Sequence, residues 1–305
     1  MTESTPAAAS DRLAQALSHG ARLTDQALDQ VLPQADGGEA ARLHAAMRYS
    51  TFAGGKRLRP FLVLAAAQLF AVPEAQAARA AAAVEMIHTY SLIHDDLPCM
   101  DDDDLRRGQP TAHVQFDEAT AVLAGDALLT QAFEVLADPA TDPDPAVRAD
   151  LVAALARAAG PGGMVGGQMF DLVAETRQLD LARIIRLQGM KTGALISISC
   201  EMGAILGRAE PVERAALADY GRDLGLAFQI ADDLLDALGS AAEMGKAVGK
   251  DAGQGKATFV SLLGVDGARK EADTIVNRGR RRLDLFGERA LLLHEVAEFV
   301  VNRRN

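Results

Sequence analysis

Apolar residues recur every three or four positions along this chain, as at Ala83, Ile87, Tyr90 and Ile93, and again at Leu217, Tyr220, Leu224, Phe228, Ala231 and Leu235. That spacing keeps them on one side of a helix, whereas a strand would need alternation. Alternating runs of β-branched or aromatic residues are nearly absent, and strong helix formers dominate, with Ala the commonest. Pro/Asp and Gly clusters break the pattern at 138–145, 160–167 and 239–255. No repeat and no low-complexity linker interrupts it, and the first ten residues are expected to fray. The pattern predicts one all-α domain, a bundle of about ten or more helices.

Composition narrows the function. The 305 residues are 49% hydrophobic and 24% charged, as in a folded globular protein. Thirty-one basic against 42 acidic residues leave a net charge of -11, and aromatics are only 4%. Nucleic acid is therefore an unsuitable partner, lacking both a basic footprint and stacking platforms. Cys99 and Cys200 are too far apart and too few for a disulfide framework; both are expected to be reduced and mostly buried, in a cytoplasmic protein. The N-terminus lacks the apolar core of a signal peptide. The apolar runs at 61–72 and 194–206, the latter interrupted by Glu201, fall short of the ~20 residues of a membrane span.

Two helical stretches carry polar stripes. Glu85, His88, Ser91 and Asp95 share one broad face of a helix expected over about 75–96. Arg222, Gly225, Gln229, Asp232 and Asp236 line one side of a second, over about 214–238. A solvated outer face would normally mix Lys with Glu, and these stripes do not. Asp95, Asp96, Asp101, Asp102, Asp103 and Asp104 mass six carboxylates within ten residues, and Asp232, Asp233 and Asp236 form a second cluster. Such massing is repulsive unless cations compensate. With oxygen donors only, the clusters suit Mg²⁺ rather than zinc, and magnesium with few protein ligands normally also binds substrate phosphates. An EF-hand is excluded, because the loop Gly and closing Glu are missing.

Positive charge for phosphate lies nearby. Residues 54–60 read GGKRLRP, Arg106-Arg107-Gly108 follows the first aspartates, Lys191-Thr192-Gly193 lies further on, and Lys246, Lys250 and Lys256 follow the second cluster. Arg offers a bidentate fork and Lys a mobile point charge. None of these is a Walker loop, and GxGxxG is absent. The residues describe phosphate groups bridged by magnesium to two acidic helices, with an apolar interior suited to a hydrocarbon tail.

Five segments carry a family resemblance: GGKRLRP at 54–60, DDLPCMDDDDLRRGQPT at 95–111, KTGALI at 191–196, FQIADDLLD at 228–236 and GKAVGKDAGQGKAT at 245–258. In order and spacing they resemble the head-to-tail trans-isoprenyl diphosphate synthases, over roughly residues 40 to 300. Within that family the chain looks most like the bacterial members that form farnesyl diphosphate. Gln109 stands where Lys is common. The resemblance implies antiparallel helices around a deep central cavity in a homodimer. It implies condensation of isopentenyl diphosphate with dimethylallyl and geranyl diphosphate.

By the same resemblance, Asp95 and Asp101 would hold two Mg²⁺ ions with Asp96 supporting, and Asp232 a third with Asp236 helping; Mn²⁺ would serve as a substitute. Asp101 lies six residues after Asp95, roughly 240° around a helix, so the pair requires the helix to bend or end, which Pro98 favours. Arg106, Lys191, Thr192, Gln229, Lys246 and Lys256 would serve the allylic diphosphate. Gly55, Lys56, Arg59, His88 and Arg107 would serve isopentenyl diphosphate. Residues 239–255 would act as a mobile flap. The helical wheel favours Ser91 as the floor of the tail channel, since it lies close to the Asp95 face. The resemblance, with the four residues between Asp96 and Asp101, favours Tyr90 and a fifteen-carbon product.

The main alternative is a geranylgeranyl diphosphate synthase. A terpene cyclase would show Asn/Ser/Glu in place of the second aspartates, and a non-catalytic subunit would have lost acidic or basic residues. A general acidic metal buffer leaves GGKRLRP and KTGALI without a role.

Overall fold

The computed structural model describes residues 6–174, 179–243 and 258–302, and these are helical almost throughout. The chain forms two compact units, Met1–Val152 and Ala153–Asn305, where the sequence pattern predicts one domain.

The first unit contains α1 (Pro6–Val31), α2 (Ala41–Thr51), α3 (Leu58–Gln68), α4 (Glu74–Asp95), α5 (Ala112–Gln115) and α6 (Glu118–Ala137). Helix α1 already begins at Pro6, inside the stretch expected to fray, and residues 1–5 lie outside the described residues. Proline suits a first helical position, where its missing N–H costs nothing. Helix α4 is the hub. Ala80, Ala81, Ala82 and Ala83 are fully buried, so small side chains surround it on all sides and let α3 and α6 pack closely. It stops at Asp95, and the following turn brings the Asp101 N–H to within 2.8 Å of the Asp95 carbonyl oxygen. The required helix break is therefore present.

The periodicity gave no sign of a small hairpin, β1 (Leu105–Arg106) with β2 (Gln109–Pro110), in which Arg106 stands opposite Gln109. Its two turn residues, Arg107 and Gly108, have φ of 54° and 78°. A two-residue turn of that hand needs positive φ at both. The turn after Asp95 leaves Cys99 exposed, contrary to expectation, while Cys200 is buried. Among the described residues, α6 is long and apolar enough to cross a membrane, a candidate missed by run length alone. It packs on α4, with Gly125 against His94, and buries Ala121, Ala124 and Leu128, as a core helix does.

In the second unit, after α7 (Pro145–Ala159) carries the chain across the division, come α8 (Met164–Ala174), α9 (Leu181–Gln188), a π-helical turn (Gly189–Gly193) and α10 (Ala194–Leu206). They are followed by α11 (Pro211–Glu243), α12 (Phe259–Arg282), a 3-10 segment (Asp284–Ala290) and α13 (Leu291–Asn302). Helix α11 packs against α10 and α12. A Cβ at Gly225 would lie 2.8 Å from the Gly193 Cα, so that face of α11 meets the backbone of the π turn directly. Gly225 thus belongs to packing, not to the polar stripe, and Arg222 is an exposed partner of Asp219. The N-terminus of α12 is fixed by a capping box, Thr258 with Ser261, and by the Phe259 N–H donating to the Asp233 carboxylate at 2.8 Å.

Gly225→Val is expected to force this contact apart. Overpacking against backbone costs about 2–3 kcal/mol, to be read as a lower denaturation midpoint with unchanged helix content by circular dichroism.

Candidate active site

Each unit carries its own polar pocket. That of the first unit, about 40 Å³, is lined by His88, Glu85, Asp96, Arg106, Arg107 and Tyr49, among others. The GGKRLRP segment leads into α3, and its three cations part company there. Lys56 is exposed, Arg59 half-buried and Arg57 buried. Arg57, with φ of 46°, turns inward and donates to Glu85 at 2.7 Å, to Asp25 at 2.9 Å and to the Thr51 carbonyl at 2.8 Å. Glu85 is therefore the buried counter-ion of a structural arginine. Removing one member of such a pair would strand the other charge, at a cost of about 3–5 kcal/mol. Charge patterning alone could not say which of the three cations faces inward.

Gly55, with φ of 134°, packs on the Arg107 guanidinium, whose nitrogen would lie only 2.6 Å from a Cβ there. Arg107 also donates to the Gly54 carbonyl. The glycine loop and the Arg-Arg-Gly turn are thus one assembly. Arg59 Nη1 lies 3.4 Å from His88 Nε2. Burial first, then Arg59, Arg107, Arg106 and Arg57, hold the His88 pKa well below the usual imidazole value, so the ring is neutral and accepts from Arg59. Arg106 forms a fork onto Asp96 through Nε, at 2.7 and 2.9 Å, and through Nη2. Burial raises the Asp96 pKa, partly offset by Arg106. Asp96 and Arg106, expected to serve metal and substrate separately, are thus engaged with each other.

Asp95 is half-buried and Asp101 exposed. Among the described residues, no three His, Cys, Asp or Glu side chains converge to cage an ion. An all-oxygen donor set of this kind fits a hard divalent cation that completes its shell with water and phosphate oxygens. Tyr90 and Ser91 do not line the first pocket. Ser91 donates to the His88 carbonyl at 2.9 Å. Tyr90 is buried, its ring edge-on to His94 at 5.8 Å, and burial followed by the Asp95 charge pushes its pKa up to about 12.

The second unit's pocket, about 220 Å³, brings together Lys191, Thr192, Gln229 and Asp236 with Asp171, Asp233 and Thr258. Lys191 Nζ donates to Asp171 Oδ2 at 2.7 Å, and Thr192 Oγ1 to Gln229 Oε1 at 3.3 Å. Asp232 is half-buried beside them on α11. Burial raises the Asp233 pKa to about 6, against the lowering by Phe259 and Gln229, consistent with its anchoring of α12. Asp171 was missed by the sequence reading; a lone carboxylate in the apolar run of α8 was its only signal. Lys246, Lys250, Lys256 and most of the expected flap lie outside the described residues.

Each helical unit thus draws carboxylates and cations together into a polar pocket, an arrangement suited to anionic groups and hard cations. The Polyprenyl synthetase family model matches residues 40–284, and the chain belongs to that family. It is 46% identical to the farnesyl diphosphate synthase of Escherichia coli K12 over 269 residues, 84% of this chain and 88% of that one. It is 43% identical to the large subunit 1 of a chloroplastic heterodimeric geranylgeranyl pyrophosphate synthase from Arabidopsis thaliana, over 93% of this chain and 78% of that one. Among solved structures it is similar to an apo FPP/GFPP synthase from Zymomonas mobilis, with 48% identity, TM-score 0.87, and coverage of 95% and 99% of the two chains.

Titration of His88 is testable by its sign. The unfolded ring takes a proton below about pH 6.5, and the folded ring, its pKa depressed, does not. Stability should therefore fall as pH drops through that value. His88→Gln should lose less, by up to about 2 kcal/mol between about pH 6.5 and pH 5, in urea midpoints measured across that range.

Proposed function

We propose that this chain is a head-to-tail prenyltransferase that condenses isopentenyl diphosphate with dimethylallyl and then geranyl diphosphate, releasing farnesyl diphosphate. Its 46% identity to a farnesyl diphosphate synthase over most of both chains carries this reading. The similarity to a geranylgeranyl pyrophosphate synthase subunit keeps a twenty-carbon product as the second reading. The family-typical homodimer and a cytoplasmic location accompany the proposal.

The roles follow from the side chains present. Lys56, Arg59 and Arg107 hold the diphosphate of isopentenyl diphosphate, with Gly55 giving Arg107 room and neutral His88 orienting Arg59. Lys191, Thr192 and Gln229 hold the allylic diphosphate. Arg106 spends one N–H of Nε and one of Nη2 on Asp96, which leaves the remainder of its five donors for phosphate oxygens. Asp95 and Asp101 of the first unit, with Asp96 supporting, and Asp232 of the second, with Asp236 helping, would hold magnesium, three ions by family expectation. When bound, it would neutralise the departing diphosphate. The allylic C–O bond breaks heterolytically as the cationic side chains hold the leaving group. The double bond of isopentenyl diphosphate attacks the allylic cation, and the proton lost afterwards passes to the departed diphosphate, so no side-chain base is assigned. Apolar walls keep water from the cation. Tyr90 closes the channel that the growing tail enters.

Asp232→Ala should lower turnover at least about 10²–10³-fold in a magnesium-supplemented assay, with the circular dichroism spectrum unchanged; near-normal turnover would defeat the metal assignment. Product analysis tests chain length. The native enzyme should stop at fifteen carbons and Tyr90→Ala should go further. A native product of mainly twenty carbons would establish the second reading instead.

A further inference from the structure

The second unit contains a pairing that the assigned roles do not use. Lys191 sits at the centre of the π-helical turn Gly189–Gly193. A π turn, whose hydrogen bonds close one residue later than those of an α-helix, is rare and is frequently found at functional sites. Helix α8 is fitted against this turn at backbone distance. A Cβ at Gly167 would lie 2.6 Å from the Lys191 Cα, so no side chain larger than hydrogen fits there. Asp171 follows Gly167 by four residues, one turn along the same face of α8. That step carries its carboxylate beside the lysine stem, and Oδ2 receives the Nζ proton at 2.7 Å. Both side chains are partly covered, at 28% and 19% exposure, so solvent screens this pair less than an ordinary surface pair.

We infer that Asp171 is a positioning residue that holds Lys191 in its diphosphate-binding orientation before the allylic substrate arrives. The inference rests on the assignment of Lys191 to that substrate. A lysine side chain loses considerable rotamer freedom when it grips an anion. The carboxylate removes much of that freedom in advance and occupies one of three ammonium protons, leaving two for phosphate oxygens. The next residue is tied similarly, since Thr192 Oγ1 reaches Gln229 on α11. The π turn is therefore held from α8 through Lys191 and from α11 through Thr192. An incidental surface ion pair would require neither the glycine notch nor the second tether.

A double-mutant cycle tests this, with the full-length protein, magnesium, geranyl diphosphate and isopentenyl diphosphate. Asp171→Ala should raise KM for geranyl diphosphate about tenfold, within the range for members of one hydrogen-bonded network. KM for isopentenyl diphosphate and the thermal midpoint should hardly move, and Asp171→Glu should restore part of the loss. In a Lys191→Ala background, Asp171→Ala should add nothing. An unchanged or lower KM for geranyl diphosphate in Asp171→Ala would overturn the inference, the lower value meaning that Asp171 competes with the substrate. Equal rises in both KM values, or full additivity with Lys191→Ala, would overturn it as well. If Lys191→Ala itself leaves the geranyl diphosphate kinetics intact, the assignment of Lys191 falls and the inference with it. If only Asp171→Ala is silent, the assignment of Lys191 stands.

Discussion

Charge neutralisation at the edge of an apolar interior is the constraint to which the rest of this structure answers. Helices packed on an apolar core that also carry cations and carboxylates bring these charges close to hydrocarbon, and an ion carried there without a partner is strongly destabilising. Several such groups among the described residues meet an opposite one: Arg57 meets Glu85 and Asp25, Arg106 meets Asp96, and Lys191 meets Asp171. Asp223, buried on α11, is held likewise by Arg278 at 2.6 Å. The pairs differ in exposure, and that difference separates their uses. Arg57 and Glu85 are closed off and serve the architecture, whereas Arg106 and Lys191 remain partly open.

Backbone geometry sets where those pairs can form. The turn after α4 folds Asp101 back onto Asp95, and the hairpin that follows puts Arg106 at the end of its first strand and Arg107 in its turn. Arg106 can then fork onto Asp96 while Arg107 is embraced by the Gly54-Gly55 loop. In the second unit, glycine contacts from α8 and α11 converge on one π turn, and Lys191 and Thr192 leave that turn toward carboxylate and amide partners on those same helices. Close helix–backbone contact thus replaces long side chains as the means of aiming the functional groups.

Neutral His88 illustrates how the surroundings alter a residue's chemistry. Burial of the ring, reinforced by four nearby arginines, makes protonation unfavourable, so the histidine contributes an acceptor and not a charge. Asp233, by contrast, carries the look of a metal ligand in sequence yet is spent on the first N–H of α12.

Helical period, breaks at Pro and Gly, two oxygen-only clusters and the basic segments between them are local properties. They arise from chain periodicity and side-chain chemistry, so the all-α class and most of the candidate site were legible without coordinates. The end of α4 near Pro98 was legible for the same reason, since proline acts on its immediate neighbours. Which arginine of GGKRLRP turns inward, that Asp96 and Arg106 are mutual partners, and that Asp171 lies against Lys191 were not. Those contacts join residues 10 to 28 positions apart in the chain, and their existence depends on which helix faces meet. A sequence specifies the charge of each side chain; only the packed backbone decides which opposite charge is near enough to neutralise it.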